Sequence, residues 1–274
     1  MIMRKKGALS NVKKSSMKNT ESSDDFTLPT EMSKPSTRLG DYSVLLYGLE
    51  KIGKTTLAAQ FPDALFLMTE PGGRGLSIYQ TPITNWPTFK KSLRLLAKDK
   101  RFKTVTVDTV DILFKMCERS VCRKMGIDHP SDEDWGKGWN AIRDEFTEQM
   151  ALLLSLGKGV ILISHATERE IKRRDGSKYH VIGPTMAGQA RSVIQPMVDI
   201  WCYYAFDKER RTLTLRGDEH VTSGVRPPKN FLWNGKPVVD VDMGESPEEA
   251  YKNFILAFKN EYKPRVKAAQ KEEA

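Results

Sequence analysis

The run Gly48-Leu49-Glu50-Lys51-Ile52-Gly53-Lys54-Thr55 has the spacing G-x-x-x-x-G-K-[ST] without a mismatch. Glycines at both ends let the backbone wrap a phosphate chain, and the loop N–H groups then point inward at the anion. Lys54 is placed to reach the β- and γ-phosphates, and the Thr55 hydroxyl to ligate Mg²⁺. With Thr56, these residues make up the expected nucleotide-binding set. The spacing implies that a nucleoside triphosphate binds here.

Two carboxylates extend that chemistry. Asp108 ends the β-branched run Thr104-Val105-Thr106-Val107, which suits an aspartate that holds Mg²⁺ beside the phosphate loop. Thr109 follows it, not a glutamate. Glu70 ends the run Ala64-Leu65-Phe66-Leu67-Met68-Thr69 and is the candidate for orienting an attacking water, with an ordinary loop carboxylate before Pro71 as the other reading. ATP is favoured over GTP, because no [NT]-K-x-D sequence follows the loop.

These residues need strands to present them. Tyr42 to Tyr47 reads as a buried strand before the loop, and a helix is expected from Thr55 to Gln60, stopping before Pro62. A helix carries Phe89, Leu93 and Leu96. Another spans Ile112 to Met125, and a long one bears Trp139, Ile142, Phe146, Met150 and Leu153 on one face. Val160 to Ile163 is a further strand, ending on Ser164-His165. Polar residues thus gather at the carboxyl ends of apolar strands, where ligands bind in parallel sheets. Three hairpins are expected beyond: Thr167–Arg174 with Ser177–Val181, Ile200–Phe206 with Thr212–Arg216, and Phe231–Trp233 with Val238–Val241. Ser246-Pro247 starts a last helix, with Glu249 positioned for a capping box.

The chain has 274 residues and a net charge of +9, which suits a polyanionic partner. Residues 1–40 are expected as a disordered basic arm, either solubilising or tethering nucleic acid: Arg4, Lys5, Lys6, Lys13, Lys14 and Lys18 precede the first acid, Glu21. The core is expected over 41–226, a hairpin and helix packed on it over 227–262, and a charged tail over 263–274. No apolar stretch is long enough to span a bilayer. Cys117, Cys122 and Cys202 read as reduced thiols of a cytoplasmic protein. No apolar segment follows the first bases, which speaks against a secretory signal. A mitochondrial presequence stays open.

A glutamate at the position of Glu70, with none beside Asp108, resembles the RecA-type core of P-loop NTPases. The ordered set Tyr47-Gly48 to Thr56, Thr69-Glu70-Pro71-Gly72, Val107-Asp108-Thr109, Ile163-Ser164-His165 and Gly183-Pro184 to Val198-Asp199 narrows this. It resembles phage-encoded RecA-like nucleotide-binding proteins of the single-strand annealing and recombination group. The resemblance covers roughly residues 41–226. It implies an α/β fold with a mainly parallel sheet flanked by helices, followed by the C-terminal hairpins and terminal helix. It implies a DNA-stimulated ATPase of the host cytoplasm using ATP and Mg²⁺. It makes His165 a γ-phosphate sensor, and Arg169, Lys172, Arg173, Arg174, Lys178 and Tyr179 a loop facing single-stranded DNA, where bases and an aromatic suit phosphate contact and stacking. Glu168, Glu170 and Asp175 dilute that charge, so a solvated hairpin stays open. Arg216 or Arg226 would complete the site of a neighbouring subunit in a ring or filament. A single-strand-binding or annealing protein is an implied partner. Two other classes remain: a P-loop small-molecule kinase, and a non-hydrolysing ATP-gated adaptor that loads a partner onto DNA.

Overall fold

A computed structural model describes residues 28–207 and 210–264. Most of the expected arm (to residue 27) and of the expected tail (from residue 265) lies outside them. The chain divides into two units, Met1–Pro35 and Ser36–Ala274. In the first, residues 28–35 form no helix or strand. The second starts at Ser36, ahead of the expected core boundary at 41. Leu39 is buried in the core there, and the Tyr42 hydroxyl donates to the Ser36 carbonyl at 2.9 Å. A single buried leucine in a polar stretch leaves no periodicity to read.

The second unit opens with β1 (Ser43–Gly48), the phosphate loop and a short α1 (Lys54–Ala58). Next come β2 (Ala64–Met68), β3 (Tyr79–Pro82), α2 (Trp86–Leu96) and β4 (Thr104–Asp108). Two packed helices, α3 (Val110–Met125) and α4 (Lys137–Leu154), lead to β5 (Gly159–Lys172). Then follow β6 (Lys178–Pro184), α5 (Gly188–Met197), β7 (Ile200–Asp207) and β8 (Arg210–Thr214). The chain ends in the short strands β9 (Gly224–Val225), β10 (Leu232–Trp233), β11 (Lys236–Pro237) and β12 (Asp240–Asp242), and helix α6 (Pro247–Phe258).

The main sheet has the order β12-β8-β7-β1-β5-β4-β2-β3. The neighbours from β7 to β3 are parallel, and the β8 and β12 edge is antiparallel. This is the mainly parallel, helix-flanked sheet of a P-loop NTPase, as expected. Central strands buried on both faces read as continuous apolar runs, which is why β1, β2, β4 and β5 were legible. Alternate residues feed two cores. Leu45 and Tyr47 of β1 join Val105, Val107, Val160 and Leu162 beneath α2 to α5. Val44 and Leu46 join Ile161, Ile163 and Phe66 beneath α1 and α6.

The expected third hairpin is corrected. Only Leu232–Trp233 and Lys236–Pro237 pair locally, and Asp240–Asp242 instead extends the main sheet beside β8. Val241 and Met243 are buried in the second core, so apolar burial at the sheet edge wins over a longer two-stranded ribbon. Helix α6 starts as read: Ser246 Oγ accepts from Glu249 N at 3.1 Å and Pro247 is its first residue. The Glu249 carboxylate accepts from Glu245 N, one residue before the N-cap.

Candidate functional site

Register sets the site. Gly48 at the end of β1 lies level with His165 of β5 and Tyr204 of β7, and Asp108 lies level with Met68 and Ile163. Gly48, Glu70, Asp108 and His165 therefore meet at the carboxyl edge of the sheet. Gly48 must be glycine, because a Cβ there would run into the Tyr204 carbonyl. Gly53 has a left-handed φ of 105°, which turns the loop into α1. Ile52 anchors the loop in the core, while Leu49, Glu50 and Lys51 face solvent.

Lys54 is buried, and its ammonium donates to the Gly48 carbonyl at 2.9 Å and the Leu49 carbonyl at 2.7 Å. Burial pulls its pKa below the ordinary lysine value, against the pull of the Asp108, Asp111, Glu50 and Glu70 carboxylates. Thr55 Oγ1 donates to Asp108 Oδ2 at 2.7 Å. Asp108 is 7% exposed, and burial pushes its pKa up, with the nearby Glu70 adding to the rise. The Thr55 hydrogen bond and the Lys54 and His165 charges oppose that rise.

Glu70 Oε1 accepts from Thr109 Oγ1 at 2.6 Å, and Oε2 lies 3.6 Å from His165 Nε2. Thr69 Oγ1 accepts from Thr109 N at 2.7 Å and donates to Thr109 O at 2.8 Å, tying the end of β2 to the end of β4. A cleft of about 260 Å³ results, lined by Lys51, Gly53, Lys54, Thr55, Thr56, Glu70, Asp108 and His165. The phosphate-loop residues, Asp108, Glu70 and His165 are thus brought together.

Two residues, Asp111 and Arg211, escaped sequence reasoning. Asp111 Oδ1 accepts from Ser164 Oγ at 3.0 Å and Thr185 Oγ1 at 2.5 Å, joining α3 to β5 and to the residue that follows β6. Asp111 Oδ2 and His165 Nδ1 are buried without partners among the described residues. Arg211 of β8 donates from Nε to the Ile52 carbonyl at 3.0 Å, with its guanidinium 4.8 Å from the Phe206 ring centroid. The one signal for Asp111 was its place three residues after Asp108. Arg211 gave none, since its partner lies across the sheet.

β5 runs on from His165 into the β5–β6 hairpin, where Ala166–Lys172 pairs with Lys178–Pro184. The expected DNA-facing bases are largely engaged there. Arg169 donates to the Pro184 carbonyl at 2.8 Å, and Lys178 pairs with Glu170 at 2.8 Å. Arg173 pairs with Glu219 while lying 4.6 Å from the Tyr179 ring centroid. Lys172 and Arg174 are exposed and pair with no carboxylate among the described residues.

Arg216 and Arg226 are not brought to this chain's cleft. Arg226 donates to the Pro196 carbonyl at 2.5 Å and lies 3.7 Å from Asp199, beside the amino end of β7. The phosphate loop is at the other end of the neighbouring β1. Arg216 follows β8 at that same far end, its Nε buried without a partner among the described residues. The antiparallel run of β8 carries both residues away from the loop.

A family model described as an AAA domain (AAA_24) matches residues 41–226. The chain is similar to the SPbeta prophage-derived uncharacterized protein YorG of Bacillus subtilis (strain 168), at 31% identity over 132 residues. That match takes in 46% of this chain and 41% of YorG, so the chain spans well under half of that relative's length. Among solved structures it is similar to the KaiC-like protein PH0186 of Pyrococcus horikoshii OT3, at 13% identity and a TM-score of 0.43, over 76% of this chain and 88% of that one.

Proposed function

We propose, since this chain belongs to the AAA_24 family of AAA-domain P-loop ATPases, that it hydrolyses ATP while acting on single-stranded DNA in phage recombination, repair or replication. One observation carries this reading. Glu70 of the cleft lies 3.6 Å from His165, and the strand bearing His165 continues without a break into the basic β5–β6 hairpin. A change at the phosphate end of the cleft thus has a short, rigid path to the bases.

The residues present fit Mg²⁺. Thr55 Oγ1 and Asp108 Oδ2 are two hard oxygen ligands 2.7 Å apart at the loop, the set a mostly water-coordinated Mg²⁺ uses. Bound there, the ion would neutralise charge developing on the phosphate oxygens. The rest falls to the chain's own groups. The Lys54 ammonium exchanges the Gly48 and Leu49 carbonyls for phosphate oxygens, and the loop N–H groups hold the triphosphate. The Glu70 carboxylate, fixed by Thr109, orients the attacking water and takes its proton. His165 shares Glu70 with that water, so its position follows the presence of the γ-phosphate. Release of phosphate resets the hairpin between gripping and releasing a strand. Lys172 and Arg174 supply phosphate contacts, and Tyr179 a stacking face. Arg216 would serve a neighbouring copy's site, and Arg226 would do so only on leaving the Pro196 carbonyl and Asp199.

ATP turnover with and without single-stranded DNA tests this, with Lys54→Ala as the blank. Stimulation by single strands is the expected result. Turnover indifferent to DNA would overturn the DNA part of the proposal, and binding without turnover would favour an ATP-gated adaptor.

A further inference from the structure

A groove of about 460 Å³ opens between α2, α3 and α4, and none of its lining residues lines the nucleotide cleft. Trp86, Val121 and Met125 form its apolar part, and Lys90, Arg94 and Lys124 stand around it. Lys90 is matched by Glu145 at 2.7 Å. Arg94 and Lys124 are exposed and pair with no carboxylate among the described residues. Such a groove suits a bulky apolar side chain carried beside carboxylates.

The loop that joins α3 to α4 carries that combination. Trp135 is 94% exposed, and its backbone holds a left-handed φ of 58°. A bulky residue rarely takes that conformation, which persists where the surroundings enforce it and most often where function uses it. Glu133 and Asp134 precede it, and neither pairs with a base among the described residues. The turn is firmly set. Asp132 accepts from His129 N at 2.7 Å, and Ser131 N donates to His129 Nδ1 at 3.2 Å. Gly138 lies so close to the Pro130 carbonyl that a Cβ there would collide with it. Trp135 is therefore held out to solvent by a fixed turn.

We propose that a second copy of this chain fills the groove: Trp135 of each copy enters the groove of the other, with Glu133 and Asp134 against Arg94 and Lys124. Charge complementarity selects this occupant, since the unmatched charges of the groove are positive and those of the loop negative. The loop runs from the end of α3, where Lys124 and Met125 line the groove, to the start of α4, where Ala141 lines it. Loop and groove thus adjoin, and one two-fold axis beside them makes both contacts at once and closes a dimer. An indole buried at the centre of a contact, with an arginine beside it, is the composition that carries binding energy. The contact uses no residue of the nucleotide cleft and is independent of the function proposed above.

Sedimentation equilibrium of the full chain, without nucleotide or DNA, tests this. The wild type is expected to dimerise as its concentration rises. Trp135→Ala, at an exposed position, should raise the dimer dissociation constant by about tenfold or more. Arg94→Glu with Lys124→Glu should do the same, and adding Glu133→Lys with Asp134→Lys to that variant should restore dimers. Far-UV circular dichroism matching the wild type shows each variant to be folded. A dimer indifferent to Trp135→Ala, or a charge reversal that the second reversal does not rescue, would overturn the proposal. So would a wild type that stays monomeric, which would leave the groove to an acidic segment of another protein.

Discussion

The cleft and the β5–β6 hairpin hold charges in opposite ways. In the cleft, Lys54 and Asp108 are buried, and neither has a charged group as its hydrogen-bond partner: Lys54 has two carbonyls and Asp108 one hydroxyl. On the hairpin, Lys172, Arg173, Arg174 and Lys178 are exposed, and Lys178 and Arg173 are already matched by Glu170 and Glu219. Burying a charge is costly unless something compensates it, so a buried lysine facing carbonyls marks a place built for a ligand. Exposed ion pairs cost little and are worth little. The cleft therefore speaks strongly for its chemistry, and the hairpin speaks for DNA only through Lys172, Arg174 and Tyr179.

The comparison can be broken from the cleft side first. Asp108→Asn is expected to lower ATP hydrolysis by about 10²–10³-fold, the scale for losing one charge-stabilising group. Its effect on stability has the opposite sign. The folded pKa of Asp108 is raised above 3.8, so its protonated form is favoured in the fold and folded stability is lost as pH rises through the folded value. At neutral pH the asparagine variant should melt no lower than the wild type, and higher if the carboxylate is as poorly solvated as its burial indicates. By the same shift, metal-dependent nucleotide binding should weaken on acidification at a pH above the ordinary 3.8, not at it.

On the hairpin the effects shrink. Replacing both Lys172 and Arg174 by alanine should weaken single-strand binding and reduce the log–log salt slope by about 1.4, at about 0.7 per phosphate contact. Arg173→Ala should do less on both counts, since Glu219 already holds that guanidinium. Its cost to stability should stay under about 1 kcal/mol, as for other exposed ion pairs. If Arg173→Ala weakened DNA binding more than the double variant, the division into matched and free bases would be wrong.

The parts of the site legible in the sequence are those that the backbone demands. The loop glycines answer to a close approach at Gly48 and a positive φ at Gly53. The strands that end at or lead into Glu70, Asp108 and His165 answer to burial on both faces. What stayed illegible depends on the third dimension. β3 is a mostly exposed edge strand of sequence Tyr-Gln-Thr-Pro, with no apolar run. α5 begins at Gly188 and contains Pro196, so its composition argues against a helix that tertiary packing of Ala190, Val193 and Ile194 nonetheless makes. The Arg173–Glu219 pair joins residues far apart in the chain, and it is what turns an apparently basic loop into a partly neutralised one.

The central claim is that Glu70 works on water in a cleft that binds ATP without its help. The direct measurement is single-turnover hydrolysis by Glu70→Gln alongside its ATP affinity. Glutamine can still accept from Thr109 but is a poor proton acceptor, so hydrolysis should fall by about 10²-fold or more with affinity nearly unchanged. Undiminished hydrolysis in Glu70→Gln would contradict the account.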